Sequence, residues 1–280
     1  MIASTIPGPA PSPAPVPMRT RIPRQRLIGV AILSGVVAFA VLTPILWPAD
    51  PARQSLRHAL VAPGWSEPLG TDHLGRSMLA RLSAALRLSL SLALLSVATA
   101  AVPGVVLGIL AAWKGGLVDR SLSLLGDVFM ALPGLLLVLM LAAIAPNAPW
   151  ALYVGISLVL WIEYFRLTRA TTRTLIASPA VQASRLLGMG PAYIVRRHLW
   201  PEIAPMILTV GAFGAAGAIM AIAALGFVSV GVRPPTPELG LMMVELLPYY
   251  EEAPFAILQP IVAIFLLVLG LNLVAGRDRI

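Results

Sequence analysis

The chain contains no cysteine, one lysine and three histidines among its 280 residues. Without cysteine there is no disulfide, no thiolate nucleophile and no zinc–thiolate centre. The single lysine, Lys114, is followed by Gly115. A phosphate-cradling P-loop needs Gly-Lys followed by Ser or Thr, so the chain carries no ATP-binding loop of that kind. His58, His73 and His198 fall in separate loop segments, with no HExxH spacing for a metal. The apolar runs hold no histidine to serve as the base of a membrane-embedded hydrolase. Charge is scarce too: 11% of residues are Asp, Glu, Lys or Arg, against about 25% in a soluble domain. With 58% hydrophobic residues and a mean hydropathy of +0.88, the chain reads as an integral membrane protein.

Crossing a bilayer takes about 20 apolar residues. Six candidate runs occur, at Leu27–Trp47, Arg87–Ala112, Leu122–Ala145, Pro149–Phe165, Ala204–Val230 and Phe255–Ala275. The expected fold class is therefore an all-α polytopic membrane protein of about six transmembrane helices. Pro146-Asn147-Ala148-Pro149 turns the third run into the fourth as a hairpin. Pro103-Gly104 and Pro133-Gly134 predict bends in the second and third. Asp127 and Glu163 fall near span ends, which predicts interfacial or helix-packing roles rather than a proton relay.

Met1 to Met18 has proline at every second position from Pro7 to Pro17. Such a run cannot bury a core and reads as a disordered tail, not a cleavable leader. Residues 1–26 are thus expected to be this tail with its basic anchor, and residues 27–280 the transmembrane domain. The net charge of +8 lies between hydrophobic runs, so it speaks for membrane topology and not for nucleic acid. With both termini inside, fourteen of the twenty basic residues fall on the inner side. That bias predicts an N-in, C-in orientation.

The longest polar stretch is Arg166 to Pro205. It is Arg-rich and helix-compatible, and far longer than the usual connection between bundle helices. Residues 166–205 are expected to form a cytoplasmic platform for a soluble partner. Within it, Ala183 and Ser184 are small enough for close packing against another surface. Gly188 can take positive φ and end one short helix before the next. Pro201 suits the start of a helix. A six-span membrane protein without an ATP site, but with such a platform, implies a separate motor.

Gln182-Ala183-Ser184, Gly188 after three intervening residues and Pro201 thirteen positions after Gly188 resemble the E-A-A…G…P signature of permeases of binding-protein-dependent ABC importers. Gln182 stands where the family usually has Glu, and Ser184 where it has Ala. Gly70-Thr71-Asp72-His73-Leu74-Gly75-Arg76-Ser77, with Arg81 and Arg87 beyond, is similar to the GTDxLGRD…R…R segment of the dipeptide, oligopeptide and nickel branch. Here Ser77 replaces the acid. Leu225 to Gly240, ending in Arg233-Pro234-Pro235-Thr236-Pro237-Glu238-Leu239-Gly240, is similar to that branch's LGFLGLGVQPPTPEWG. Taken alone, the first outer motif also reads as a turn with Asp72 as a helix cap, and the second as a rigid outer loop. The resemblance spans about Leu27 to Ala275 and points to the C-type permease of a heteromeric pair.

The resemblance implies a type I ABC importer permease of the bacterial inner membrane, without catalysis of its own. Its implied partners are a paralogous permease, two cytoplasmic ABC ATPases, an extracytoplasmic substrate-binding protein and the lipid bilayer. No cofactor is implied for the chain itself, since the ATPases bind ATP. Val181 to Gly190 is the implied coupling helix, with Arg185, Arg196 and Arg197 as electrostatic contacts. The outer loops would meet the binding protein, Glu238, Glu245, Glu251 and Glu252 pairing with a basic rim on it. Uptake of di- or oligopeptides is the expected function, with nickel or a metal chelate next. A secondary transporter is the competing class.

Overall fold

The computed structural model of the protein describes residues 24–145 and 148–276. The proline-rich tail, the Pro146-Asn147 turn and the last arginines, Arg277 and Arg279, lie outside the described residues. The helices in chain order are α1 (Arg24–Leu46), α2 (Met78–Lys114), α3 (Gly116–Ala131), α4 (Gly134–Ile144) and α5 (Pro149–Ile176). They continue with α6 (Pro179–Leu186), α7 (Pro191–Ile194), a π turn (Val195–Leu199), α8 (Trp200–Phe227), α9 (Leu239–Leu246) and α10 (Pro254–Ala275). Five of these are long and apolar enough to cross a membrane, and α3 with α4 makes a sixth if the pair is one bent span.

The third span is broken, not smoothly kinked. α3 and α4 meet at 79°. Pro133 has no N–H to donate, and its ring pushes the preceding residue out of helical geometry. Leu132 accordingly takes φ −92° and ψ 134°. At Pro103 the outcome differs, and α2 continues through the proline for 37 residues. At 1.5 Å per residue that is about 55 Å, well beyond an apolar core of about 30 Å.

The most extensive packing is between α2 and α5. Ala100, Gly104, Gly108 and Ala112 recur every four residues along one face of α2. Small residues at this spacing let two backbones approach closely, which in lipid replaces the hydrophobic drive for helix association. A methyl group on Gly104 would sit 2.6 Å from Trp161 O, and one on Gly108 2.8 Å from Phe165 O. Trp161, Ile162, Tyr164 and Phe165 of α5 are buried in this seam with Ala100 and Ala111. α1 packs on α10 at another close approach, Gly29 against Leu273 and Gly270. The largest apolar cluster joins α1, α2, α4, α5, α8, α9 and α10.

Two expected boundaries move. α2 begins at Met78 rather than Arg87, because Arg81 and Ser83 are buried inside its first turns. α5 does not stop at Phe165 but runs on to Ile176. The first quarter of the expected polar platform is thus the last three turns of a long helix.

The close α2–α5 seam generates a prediction for thermal unfolding in detergent. Gly108→Val forces a branched side chain against Phe165 O and destabilises by about 1–3 kcal/mol. Gly35→Ala adds a methyl where nothing lies within 4 Å, and stays within about 0.5 kcal/mol of the parent or above it.

Candidate functional site

At one end of the molecule the chain leaves α5 and forms the short helix α6. Ser178 is its N-cap, the hydroxyl accepting from Val181 N at 3.5 Å, and Pro179 opens the first turn. Val181 is buried and anchors the helix, while Gln182, Ala183 and Arg185 face outward. The helix ends in a Schellman motif. Met189 N donates to Ser184 O at 3.0 Å and Gly188 N to Arg185 O at 3.0 Å, with Gly188 at φ +75°. An L-residue with a side chain fits that left-handed backbone poorly, so the turn depends on glycine. The Arg185 guanidinium lies over the Trp113 ring, 5.1 Å from its centre. This ties α6 to the end of α2 and leaves Arg185 only partly free for another molecule. Pro201 is the second residue of α8 and follows directly on the π turn.

Three arginines expected in the platform are used elsewhere. Arg169 donates to both carboxylate oxygens of Asp119 on α3, its Nη2 at 2.7 Å. Arg173 Nη2 reaches Asp119 Oδ2 at 2.6 Å, and Arg166 Nη2 reaches Asp127 Oδ1 at 2.5 Å. These pairs lace α5 to α3 just before α5 becomes α6. The Arg166–Asp127 pair is an exposed one at the surface between α5 and α3, unlike that of Asp119.

At the other end the outer motifs converge. Asp72 Oδ1 accepts from Leu74 N and Arg76 N, each at 2.9 Å, so Asp72 closes its own loop. It is not a helix cap; Ser77 holds that position for α2. The Thr71 hydroxyl bridges His58 O and Val61 N. Gly70 and Gly75 adopt φ +74° and +69°. A methyl on Gly75 would lie 1.9 Å from Ser55 O, so two loop segments cross there with no room for a side chain. Ser77, where the family has an acid, donates to Glu67 Oε2 at 2.7 Å.

Asp72 is also one corner of a buried ion-pair quartet. Arg76 Nε donates to Asp72 Oδ2 at 2.6 Å, and Arg81 Nε lies 3.2 Å from the same oxygen. Both guanidiniums reach Glu245 Oε2 on α9, Arg76 Nη2 at 3.1 Å and Arg81 through its own Nη2. Both arginines are 1% exposed. Two cations and two anions leave no net charge, and each makes contact with an opposite. That balance is what a buried charge requires.

The second outer motif delivers Glu245 to this place. Pro234-Pro235, joined by a cis peptide bond, and Pro237 lead the chain to Glu238 at the N-cap of α9. Glu238 Oε2 accepts from Leu241 N at 2.8 Å. A methyl on Gly226 would meet Glu238 Oε2 at 1.9 Å, and one on Gly240 would meet Ala223 O at the same distance. α9 therefore lies directly on the end of α8, which accounts for the glycines at both ends of this segment. Two expectations are corrected here. Glu238 and Glu245 are not available to a binding-protein rim, because one caps α9 and the other pairs with Arg76 and Arg81. Glu251 and Glu252 remain exposed.

With this geometry in place the family is evident in the sequence as a whole. The pattern of the family described as "Binding-protein-dependent transport system inner membrane component" matches residues 104–277. The chain belongs to this permease family. It is 35% identical to the di/tripeptide transport system permease protein of Pseudomonas aeruginosa, over 90% of this chain and 85% of that one. It is 31% identical to the dipeptide permease of Haemophilus influenzae, over 91% and 89%. The nickel transport system permease protein of Escherichia coli is also 31% identical, over 89% and 90%. The fold matches a chain of the MetNI methionine ABC transporter in inward-facing conformations, with TM-score 0.54 and 18% identity, over 71% of this chain and 98% of that one. The protein is thus a multi-pass inner-membrane permease of an ABC importer in the dipeptide and nickel branch. Membership in a binding-protein-dependent system implies ATPase and binding-protein partners.

Sequence reading missed the pairing of Arg81 with Glu245 and of Asp119 with Arg169 and Arg173. Proximity along the chain gives no signal for either: the partners are 164 and 50 residues apart. A weak signal was available for Glu245, which sits two helical turns after the α9 cap.

Removing one member of the quartet strands the others. Glu245→Ala leaves two buried guanidiniums short of an anion, and thermal unfolding of the purified permease shows a loss of about 3–5 kcal/mol. Glu238 gives a pH prediction. Burial pushes its carboxyl above the ordinary 4.5, and the N–H groups of Gly240, Leu241 and Leu239 pull back less strongly. With the folded value raised, the stability from its bound proton is complete below about pH 4.5 and is lost as pH rises through the folded value. Glu238→Gln keeps an acceptor for Leu241 N and no charge. Its melting temperature, followed against pH, overtakes that of the parent as the pH rises toward neutrality.

Proposed function

We propose that this permease pairs with a second, paralogous permease to carry di- or oligopeptides inward, and that α6 couples it to two ABC ATPases. The observation that carries the coupling assignment is the surface of α6 and its turn. Leu186 and Leu187 are 90% and 76% exposed beside Ala183 and Gln182. This apolar knob lies at the end of a short helix that follows a run of paired arginines and is anchored by Val181 on its opposite face. Large exposed leucines on a polar end are unfavourable in water and favourable in a partner's groove. Gln182, Ala183, Ser184, Arg185, Gly188 and Pro201 form or support this element.

In this reading the two ATPases close when they bind ATP and draw the two α6 helices with them. α5 and α8, which enter and leave the platform, then tilt between inward- and outward-facing arrangements. Such motion needs only that nucleotide favours one state over the other. On the outer side, the Gly70–Arg76 loop and the Pro234–Glu238 segment hold α9 on the end of α8. This gives a loaded binding protein a firm surface, with Glu251 and Glu252 as its exposed charges. The N-terminus and α6 lie on the cytoplasmic side.

Peptide is favoured over metal because two of the three relatives named above transport di- or tripeptides. Nickel, free or chelated, is the second reading, carried by the Escherichia coli relative at 31% identity. Gentle purification of the chain from native membranes, followed by mass spectrometry, tests the assembly. A second six-span permease and P-loop ATPases are expected to co-purify. Recovery of the chain alone, with gradient-driven flux in liposomes without ATP, would favour a secondary transporter. Uptake of labelled dipeptide against labelled nickel by the purified complex then separates the cargoes. Ala183→Trp, a change on an exposed position, is expected to leave insertion intact and to cut ATP-driven uptake at least about tenfold. Normal uptake by a well-expressed Ala183→Trp complex would remove α6 as the coupling element.

A further inference from the structure

Ser184 stands where the resembled permeases carry alanine, and its hydroxyl has two neighbours. Oγ lies 3.0 Å from Ala180 O and 2.9 Å from His198 Nε2. A hydroxyl has one proton to give, and a backbone carbonyl can only accept. Both contacts are hydrogen bonds together when the Ser184 proton goes to Ala180 O and the imidazole donates to Ser184 Oγ. In that arrangement His198 carries its proton on Nε2. The Tyr193 ring meets the imidazole edge-on, with centroids 6.2 Å apart and planes at 69°, which holds the ring in that orientation.

The two residues sit at places where the chain is otherwise soft. Ser184 is at the end of α6, and its own carbonyl accepts the Schellman bond from Met189 N. The covalent path from α6 onward is Gly188-Met189-Gly190. A methyl on either glycine would meet nothing within 4 Å, and Gly188 is at positive φ. That path is held by backbone hydrogen bonds but by no side-chain packing at its two glycines, which makes it the least buttressed link between α6 and α8. His198 lies in the π turn Val195–Leu199, which leads into α8 without a break. The π turn has a local cause. Pro201 cannot donate to Arg197 O, and its ring would crowd that carbonyl in an α-helix; the wider turn relieves the crowding. Ile194 and Leu199 on either side are buried, so the turn itself is buttressed by packing while the joint before it is not.

Two contacts thus compete to decide what α6 follows. Arg185 over Trp113 ties it to α2. The Ser184–His198 hydrogen bond ties it to α8. We infer that Ser184 and His198 form a strut that bypasses the Gly188–Gly190 joint and makes α6 move with α8 as one body. They are positioning residues for coupling, acting through α8. The inference rests on the reading of α6 as the coupling helix, and it assigns His198 a role that the signature residues do not include.

The absence of cysteine makes a direct test simple. Paired labels at Gln182→Cys on α6 and Leu208→Cys on α8, both exposed, report the α6–α8 distance by double electron–electron resonance in the full-length protein. The parent is expected to give one narrow distance distribution. Ser184→Ala removes the acceptor, and His198→Phe keeps the ring against Tyr193 but removes the donor. Each is expected to broaden the distribution about twofold or more, and the double variant to be no broader than either single. Ser184→Thr keeps the hydroxyl and the narrow distance. Equal widths in parent and both single variants would overturn the strut, whatever the cargo.

In the co-purified complex in proteoliposomes, ATP consumed per dipeptide taken up is expected to rise about fivefold in Ser184→Ala and His198→Phe, with the parent ratio kept in Ser184→Thr. An unchanged ratio in a complex that transports normally would also overturn it. A parent complex with no ATP-driven uptake of peptide or nickel, but with the narrow distance lost in Ser184→Ala, would strike the proposed function and leave the strut standing.

Discussion

The close contact of α2 with α5 is the constraint on which the rest depends. Gly104 and Gly108 let the two backbones approach until a single methyl group would not fit between them. Each helix then carries something essential at its ends. α2 starts in the outer ion-pair quartet, through Arg81, and finishes beside Trp113, under the Arg185 guanidinium. α5 finishes in the arginines that pair with α3 and hands the chain to α6. A seam between two spans therefore sets the position of both ends. Lipid supplies no hydrophobic drive for helix association, so this spacing comes from packing alone, and packing is sensitive to one carbon atom.

The two ends are built on different principles. The outer end is over-determined: Asp72, Arg76 and Arg81 are buried, Glu245 is largely so, Glu238 caps α9, and Gly226 and Gly240 permit α9 to lie on α8. The inner end is sparse. α6 is two turns long, anchored by Val181, one cation–π contact and one side-chain hydrogen bond. Stability concentrated on one side and adaptability on the other suits the proposed coupling through α6, with a fixed surface outside and a moving one inside. Low local contact density is the usual property of elements that must shift.

Much of this was legible in the sequence, for identifiable reasons. Apolar runs of membrane length have few alternative explanations, so the spans could be placed to within several residues. Gly188 and Pro201 act through backbone geometry that hardly varies with context, and Gly188 takes the left-handed φ expected of it. Other features were hidden because they depend on partners far along the chain. Arg169 and Arg173 read as a charged loop, since Asp119 lies fifty residues away; paired with it, they let α5 continue as a helix. Glu238 and Glu245 read as solvent-facing acids for the same reason. Pro103 and Pro133 carry the same local signal, yet one helix continues and the other breaks. The difference is tertiary: α2 packs against α5 along much of its length, far more extensively than either α3 or α4 packs on the same helix.

The quartet's charges sum to zero, and this has an electrical consequence. A single elementary charge displaced across a membrane at 100 mV gains or loses about 2.3 kcal/mol. Had Arg76 and Arg81 lacked their acids, any movement of this region through the field would have been driven or opposed by the membrane voltage. With Asp72 and Glu245 moving alongside, the net electrical work of displacing the group is close to nil. The quartet itself therefore adds no voltage dependence to whatever the outer end does, in an energised cell or a depolarised one.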